Sequence, residues 1–428
     1  MTTTHTSQSA GAEEETSGDS SLSGGQRRFL LMLGLPALGI TFAVTVVSTY
    51  APVLLGAKSS PVVVGLVVGG EGFFGLLLPL LVGAISDRRS DTARERARAL
   101  LVAGPIAVAA LLLLALPGGF ALIVVGAALY FAAHFAYLAP FQALYADYVP
   151  DQASGRSRSF ESIWRLIGAA GALIAGGFLI EAWKPSPFLV GAVLIGATTT
   201  AFWLYLRGRE DVPVDHSGRN LQELWSTSKE ILADRDVRLI IIANTLWNVT
   251  LSALRAFVVL FFTIGLGRRP SFVSGVVFPL VALGMALSAP LTGKVADRWG
   301  HIKVLRLAVP IYGLGLLLPG IWQNAWVLGM VPIVAACAAT VMIVPFAALM
   351  RLMPDADHGA TSGLFTLSRG LGSMLGPLLA GGAIMALRGP LSATHGFAAM
   401  WFVIGGSTLA SWPVLTRIGS GRRRQREG

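Results

Sequence analysis

The chain has 428 residues, of which 54% are hydrophobic and only 13% are charged. Soluble domains carry roughly a quarter charged residues, so this composition and the mean hydropathy of +0.67 exclude an ordinary soluble domain and indicate a polytopic membrane protein. The formal net charge of +10 does not indicate nucleic-acid binding, because the basic residues gather in the predicted tails and loops.

The chain begins with a polar tail, residues 1–27, that is expected to be disordered and cytoplasmic. Two six-helix bundles are predicted at residues 28–206 and 239–416, joined by a cytoplasmic central loop (207–238) with a short amphipathic helix and followed by a basic tail, 417–428. Each apolar segment is long enough as a helix to cross ~30 Å of hydrocarbon. The twelve spans are predicted at 29–55, 61–85, 99–116, 120–149, 160–183, 187–206, 239–265, 271–295, 304–321, 325–353, 362–387 and 394–415. The sequence therefore predicts an all-α membrane protein with twelve transmembrane helices in two pseudo-symmetric halves.

Basic residues are distributed unevenly between the two sets of loops. With the N-terminus in the cytoplasm, most of the 33 Lys and Arg residues fall in cytoplasmic tails and loops. The others lie in outer loops or within spans, namely Lys58, Lys184, Arg268, Arg269 and Arg388, and Arg165, Arg255 and Arg369. Cytoplasmic loops of membrane proteins carry such an excess of Lys and Arg, so both termini are predicted to be cytoplasmic. The protein is predicted to lie in the plasma membrane. The basic tail is expected to contact anionic lipid headgroups.

Two landmarks recur in the same order about half the chain length apart. The first landmark is a loop motif. Gly83, Asp87 and Arg88 carry it after the second span, and Gly293, Asp297 and Arg298 carry it after the eighth. The second landmark is a Pro-Asp pair before the fifth and eleventh spans, followed at the same offset by Arg165 and by Arg369. Such a repeat is typical of transporters built from two parallel halves.

The second loop, Gly293 to Lys303, resembles the loop signature of the major facilitator superfamily, Gly-x-x-x-Asp-Arg-x-Gly-x-x-(Lys/Arg). With the twelve spans and the long central loop, this resemblance extends over nearly all of the chain outside the tails. It implies a transporter that works by alternating access, and not an enzyme. It also implies that the first, fourth, seventh and tenth helices line the cavity.

A finer resemblance is to the glycoside–pentoside–hexuronide and sucrose-transporter branch. It rests on Ser86–Arg89 in the first loop and on Ala146–Pro150 before the fifth helix, whose Arg165 resembles by placement a substrate-handling arginine of proton-coupled sucrose carriers. This resemblance implies proton-coupled symport of a sugar or glycoside. The alternative is a proton-antiporting exporter of drugs or a secondary metabolite, although Ala172–Gly177 lacks the Gly-Pro pair of the exporters' fifth-helix signature.

Charged residues within spans are costly, so each is a functional candidate. Glu71 lies midway along the second span and is predicted to carry the coupling proton or to bind substrate, with sodium coupling left open. Its alternative role is a structural hydrogen bond or a permanent ion pair. His134, in the fourth span, is a candidate for proton coupling, for substrate binding or for a bridge between helices.

Arg165 is predicted either to donate to substrate oxygens or to pair with the coupling acid. Glu161 lies one helical turn before it, which makes an i,i+4 ion pair available. The alternative is that Arg165 and Arg369 are symmetric braces of the cytoplasmic gate. Arg255 is expected either opposite Glu71, as its counter-charge, or near the outer mouth.

Two helical faces carry side chains that suit a sugar ring or an aromatic drug. One comprises the aromatic residues and His134 of the fourth span, and the other comprises the amides, Trp247 and Arg255 of the seventh. In the first span, Thr41, Thr45 and Ser48 share a face that is expected mainly to pack against other helices. The predicted substrate-binding residues are Arg165, Tyr130, His134, Tyr137, Gln142, Asn244, Trp247, Asn248 and Arg255.

The ends of the second and eighth spans are predicted to form a gate. Their acids can pair with arginine or with a helix N-terminus of the opposite half, which would hold the outward-open state. The predicted gating residues are Gly83, Asp87, Arg88, Gly293, Asp297, Arg298 and Arg369.

The sequence contains no phosphate-binding Gly-x-x-x-x-Gly-Lys-(Ser/Thr) motif and no cluster of metal ligands, so no cofactor or metal is expected. An ion gradient is then the energy source. The expected partners are a small-molecule solute, the proton and membrane lipid, and a monomer is expected. A non-transporting sensor or scaffold is disfavoured, because it would gain nothing from the costly membrane charges.

Overall fold

The computed structural model describes residues 24–89, 91–148, 154–214, 229–350 and 358–418. Helices make up almost all of this part of the chain, and no β-strand occurs in it beyond an isolated bridge between Thr92 and Pro213. The helices of the first half are α1 (Gly24–Gly56, with a turn at Leu35), α2 (Pro61–Arg89), α3 (Ala93–Ala115), α4 (Phe120–Tyr148), α5 (Ser154–Ala182) and α6 (Ser186–Arg207).

The second half repeats this series. Its seventh helix ends in a π-helical turn, Phe261–Gly265, and its eighth contains another, Val273–Val277. The helices are α7 (Arg235–Gly265), α8 (residues 270–299), α9 (His301–Ile321), α10 (Trp326–Met350), α11 (His358–Ala386) and α12 (Ala399–Thr416).

Several helices begin before the predicted spans. The third starts at Ala93 and the fifth at Ser154, six residues before the predicted start of each apolar segment. Apolar runs indicate the hydrocarbon region, whereas a helix can extend beyond it with charged residues. At the start of α3, the Thr92 hydroxyl accepts a hydrogen bond from the Glu95 N–H at 3.3 Å, and the Glu95 carboxylate accepts one from the Asp91 N–H at 3.0 Å. This arrangement resembles a capping box and stabilises the polar first turn.

Eleven helices of the described chain are long and apolar enough to cross a membrane. The exception is α11, which has 29 residues and is rich in glycine and serine. It lies between α2 and α7, so protein and not lipid covers much of its surface. The prediction of an all-α membrane protein with twelve helices in two halves is confirmed.

Both halves are packed in the same pattern. In the first half the packed helix pairs are α1–α5, α1–α6, α3–α6, α3–α4 and α2–α4. Adding six to each number gives the pairs of the second half, α7–α11, α7–α12, α9–α12, α9–α10 and α8–α10. The repeated arginine helices occupy equivalent places, because Gly168 of α5 contacts the Leu38 carbonyl of α1 and Gly372 of α11 contacts the Thr245 carbonyl of α7.

The two halves meet through α2–α11, α1–α7 and α5–α8. We call the side on which the described chain begins and ends the tail side, and the opposite side the far side. On the far side α2 and α11 are so close that a Cβ on Gly65 would clash with the Pro377 carbonyl, and one on Gly381 would clash with the Pro61 carbonyl. Towards the tail side, Gly83 of α2 and Gly363 of α11 face open space. The halves are therefore closed on the far side and separated on the tail side.

The start of the central loop is attached to the first half. The Ala93 N–H donates to the Val212 carbonyl at 2.9 Å, and the Val214 N–H donates to the Asp91 carbonyl at 3.0 Å. Most of the predicted amphipathic helix, the first 23 residues and the end of the basic tail lie outside the described residues. The exact limits proposed for the two bundles, the loop and the tails stay predictions.

Candidate functional site

A buried carboxylate lies at the centre of the interface between the halves. Glu71 of α2 accepts a hydrogen bond from the Ser48 hydroxyl of α1 at 2.6 Å, and its other oxygen lies 3.3 Å from Nη2 of Arg255 on α7. The Glu71 side chain is 13% exposed and the Arg255 side chain 34%. Of the two positions predicted for Arg255, the structure shows the one opposite Glu71. The ion pair joins the first half to the second.

Three more ionisable side chains surround this pair. His134 of α4 and Arg369 of α11 both interact electrostatically with Glu71. Arg165 of α5 interacts with His134 and with Arg369. We call these five residues, Glu71, His134, Arg165, Arg255 and Arg369, the central cluster. They come from five helices and both halves, so their spacing depends on how the halves are arranged.

The arginines of the central cluster are compensated unequally. Arg165 is paired with Glu161 at 3.3 Å, which confirms the predicted i,i+4 pair, and its side chain is 38% exposed. Arg369 is exposed and forms no hydrogen bond or ion pair within the described chain. The structure thus places Arg369 beside Glu71 and Arg165, and its predicted role at the gate stays a prediction.

Two polar groups beside Glu71 have no hydrogen-bond partner in the described structure. They are the hydroxyl of Tyr130 and Nδ1 of His134, whose rings lie 5.9 Å apart. Both side chains are buried. Buried polar groups are normally hydrogen-bonded, so these two are available to a bound molecule or to water.

The remaining predicted residues of α4 do not join the central cluster. Tyr137 is buried and its hydroxyl lies 2.9 Å from the Thr199 hydroxyl of α6, while Phe141 packs against Phe202. In this conformation their aromatic face belongs to the core of the first half, and the substrate role of Tyr137 stays a prediction. Gln142 is exposed.

The face predicted on α7 divides into two. Asn244 donates to the Ser368 hydroxyl of α11 at 2.6 Å, and Asn248 donates to the Asn244 carbonyl at 2.8 Å. These amides therefore lie against α11, the helix that also carries Arg369. Trp247 instead donates to the Ser411 hydroxyl of α12 at 2.8 Å and is fully buried. In this conformation the indole packs between α7 and α12, away from the central cluster, and the role of Trp247 as a substrate ligand stays a prediction.

The predicted gate is described only in part. Gly83, Asp87 and Arg88 lie in α2, but the side chains of Asp87 and Arg88 are outside the described part of the molecule. Gly293, Asp297 and Arg298 lie at the tail-side end of α8, where His301 Nε2 lies 3.9 Å from the Asp297 carboxylate. The contacts predicted for the closed gate therefore stay a prediction.

Sequence analysis did not find the contacts that close the far side. Ser274 of α8 lies 3.0 Å from the Tyr50 hydroxyl of α1, donates to the Leu173 carbonyl of α5 at 2.7 Å and accepts from the Gly177 N–H at 2.9 Å. We call these four residues the far-side latch. No signal in the sequence marks it, since a lone serine among apolar residues has no periodic partner.

Ser274→Ala is expected to weaken the far-side latch, because the Gly177 N–H and the Tyr50 hydroxyl lose a partner that joins the halves. Loss of a neutral hydrogen bond costs about 0.5–1.5 kcal/mol, so the far-side-open population should rise about two- to tenfold. Distances between spin labels on cysteines placed at Gly119 and Arg388, in a chain without Cys337, measure this population. Ser186→Ala is the matched control, because its hydroxyl bonds the Leu179 carbonyl of its own half. Identical distance distributions in all three proteins would contradict the latch.

The comparisons with known proteins agree with this architecture. A sequence profile described as Major Facilitator Superfamily matches residues 28–377 and, in an overlapping match, residues 270–426. The chain belongs to the major facilitator superfamily. Among its relatives, the multidrug resistance protein MdtG of Citrobacter koseri is 25% identical over 286 residues, which are 64% of this chain and 67% of that protein.

Another relative matches this facilitator over a short segment. The uncharacterized MFS-type transporter YfiU of Bacillus subtilis is 28% identical over 99 residues, which are 23% of this chain and only 19% of that protein's length. The finer resemblance of the facilitator to the glycoside–pentoside–hexuronide branch stays a prediction.

Two solved structures show the same fold. One is a bacterial homolog to the human lysosomal transporter Spinster in an inward-facing and occupied conformation, with a TM-score of 0.74, 14% identity, and coverage of 92% of this chain and 97% of that chain. The other is the nucleoside transporter NupG, with a TM-score of 0.72, 14% identity, and coverage of 91% of this chain and 99% of that chain. With the family profile and the long apolar helices, this fold makes the facilitator a multi-pass membrane protein.

Proposed function

We propose that this facilitator is a proton-coupled transporter that moves a small organic solute across the plasma membrane by alternating access. The observation that carries the proposal is the ion pair between Glu71 and Arg255, which joins the halves midway along the apolar segment of α2. With both termini cytoplasmic, the tail side faces the cytoplasm and the conformation described is open to it.

Protonation of Glu71 links the proton to the conformational cycle. A carboxylate in this buried position attracts Arg255 strongly, and a neutral carboxylic acid does not. Opening of the far side separates α2 from α7 and must break or rearrange this pair. Because an ionised Glu71 without a counter-charge is costly inside a membrane protein, the halves separate more readily when Glu71 carries a proton.

Symport of a sugar or glycoside is the first candidate within this class. Arg165 lies in the central cluster, where the family resemblance implies a role with substrate, and it is partly exposed. The aromatic residues Tyr137 and Trp247 no longer support a sugar site, because both pack between helices. Support for the sugar therefore depends on Arg165, Asn248 and the unpartnered Tyr130.

Proton-driven export is the second candidate, and one comparison favours it. The relative that aligns with 64% of this chain is named a multidrug resistance protein. An exporter would use the same Glu71, with the proton and the solute binding in turn and not together.

Uptake by proteoliposomes tests the proposal. The full chain is reconstituted, a pH gradient is imposed, and a panel of labelled sugars and sugar acids is offered with and without a protonophore. Protonophore-sensitive accumulation of one solute is the expected result. Protonophore-sensitive loss of an aromatic dye, without accumulation of any panel member, would assign the exporter. Solute movement that only equilibrates, at the same rate with and without the gradient, would refute proton coupling.

A further inference from the structure

We propose that the solute carried by this facilitator is a small organic anion, a carboxylate or a phosphate monoester, and that the three arginines of the central cluster bind its negative charge. The inference rests on the proposed function, because it takes the central cluster as the transport site. It adds the chemical class of the solute and the order in which solute and proton act.

The charges of the site do not balance. Arg165, Arg255 and Arg369 are permanently positive, since a guanidinium is not deprotonated in proteins. Glu161 compensates Arg165 at 3.3 Å, and Glu71 compensates Arg255 at 3.3 Å. Arg369 is left with no hydrogen bond or ion pair in the part of the chain that the structure describes.

The uncompensated charge of Arg369 within α11 is energetically unfavourable. Arg369 is exposed near the middle of α11, and its guanidinium group is close to two other arginines, whose repulsion disfavours this position. A bound anion offsets that cost, whereas a neutral sugar does not. Arginine is also the side chain that matches the planar oxygens of a carboxylate or phosphate by paired hydrogen bonds.

A second, independent observation points to a ligand at the same place. The Tyr130 hydroxyl and Nδ1 of His134 are buried beside Glu71 and lack a hydrogen-bond partner in the described structure. Both can donate to an oxygen atom of a ligand, because the neutral imidazole can carry its proton on either nitrogen. Three cationic donors and two neutral donors surround the carboxylate of Glu71. This surplus of donors favours a ligand with negatively charged oxygen atoms.

The arrangement also sets the sign of the coupling. Ionised Glu71 competes with a solute carboxylate for Arg255, so protonation of Glu71 makes Arg255 available to the solute. The other groups that face Glu71 are Ser48, which does not titrate, the neutral Tyr130, His134 and Arg369. A proton taken up by His134 adds positive charge and acts in the same direction. Proton and anion should therefore bind together, as symport requires, whereas a cationic drug would compete with the proton.

Equilibrium binding to the purified full-length protein tests this inference without a gradient. The probes are matched pairs that differ in charge, namely glucose with glucuronate, glucose with glucose 6-phosphate, and benzyl alcohol with benzoate, and benzylamine represents cations. Binding is measured calorimetrically at pH 5.5 and pH 7.5. We expect at least one anion to bind at least about tenfold more tightly than its neutral partner, and more tightly at pH 5.5.

Variants make the test specific for the site. Arg369→Gln should weaken binding of that anion by about ten- to a hundredfold, the range for a hydrogen bond to a charged group. The variant should stay folded, because Arg369 loses no hydrogen bond or ion pair to any residue that the structure describes. Arg388→Gln, which changes an exposed arginine of the far-side loop, should bind like the wild type. Glu71→Gln should bind the anion at pH 7.5 at least as tightly as the wild type does at pH 5.5, because its Arg255 is permanently available.

Three results would overturn the inference: a neutral or cationic probe that binds at least as tightly as every anion, no binding by any anion of the panel, or equal anion affinity in Arg369→Gln and the wild type. Failure of the proposed function gives a different pattern. Anion binding with the expected variants, but no gradient-driven uptake in proteoliposomes, would keep the anion site and remove proton coupling. Gradient-driven uptake of a neutral solute would keep proton coupling and remove the anion site.

Discussion

Glu71→Gln should abolish accumulation of solute against its gradient while leaving exchange across the membrane intact. Glutamine has the same size and can still hydrogen-bond with the Ser48 hydroxyl, but it never carries the charge that holds Arg255. A pH gradient equivalent to about 100 mV stores about 2.3 kcal/mol per proton, enough for about fiftyfold accumulation by a one-to-one symporter. In the variant, accumulation should fall to the equilibrium level, which is measured in proteoliposomes with labelled solute.

Counterflow, in which labelled solute exchanges against unlabelled solute without a gradient, is the internal control for folding and binding. Glu210→Gln is the matched variant, because this exposed glutamate of the central loop lies far along the chain from the central cluster. Glu210→Gln should accumulate solute like the wild type. Normal uphill accumulation by Glu71→Gln would show that Glu71 has only a structural role.

Arg96→Ala should destabilise the first half severely. Nη1 of Arg96, on α3, lies 2.9 Å from both carboxylate oxygens of Asp147, on α4, and the two side chains are only 6% and 7% exposed. Removing the arginine takes away both of these short contacts to a buried carboxylate, and breaking a buried ion pair costs about 3–5 kcal/mol. The measurement is the thermal aggregation midpoint of the detergent-purified protein, which should fall well below that of the wild type.

The control is Arg98→Ala, which removes an exposed arginine of the same helix and should change the midpoint little. Arg96→Met combined with Asp147→Asn removes both charges and should recover much of the lost stability, since no uncompensated charge remains. If Arg96→Ala and Arg98→Ala had equal midpoints, the buried pair would contribute nothing to the stability of the first half.

The fold could be predicted because its signals are local and repeated. Apolar runs of membrane length, an excess of Lys and Arg in alternate loops, and duplicated motifs all depend on residues close together in the chain. The weakly apolar α11 was predicted as a span, and its place in the second half agrees with the repeat, since Arg369 follows Pro354 at the offset at which Arg165 follows Pro150. The Glu161–Arg165 pair was also predicted from spacing alone.

The faces of α4 and α7 could not be predicted in the same way. Both helices are surrounded by other helices, so polar and aromatic residues occur on faces that line the cavity and on faces that pack. Tyr137 and Trp247 find their partners, Thr199 and Ser411, in helices far along the chain. Ser48 was expected to pack and instead bonds Glu71. Such partners depend on the arrangement of the halves, and no spacing in the sequence encodes it.

The polarity of α11 has a consequence for the biogenesis of this protein. An arginine near the centre of a helix costs about 2.5–3.5 kcal/mol on insertion into a bilayer, and the glycines and serines of α11 offset little of that cost. In the mature fold α2 and α7 cover this helix on two sides. Both are synthesised earlier, so α11 can enter the membrane against surfaces that are already in place. Maturation of the second half therefore depends on the first, and the two halves of the chain are not interchangeable building blocks despite their common plan.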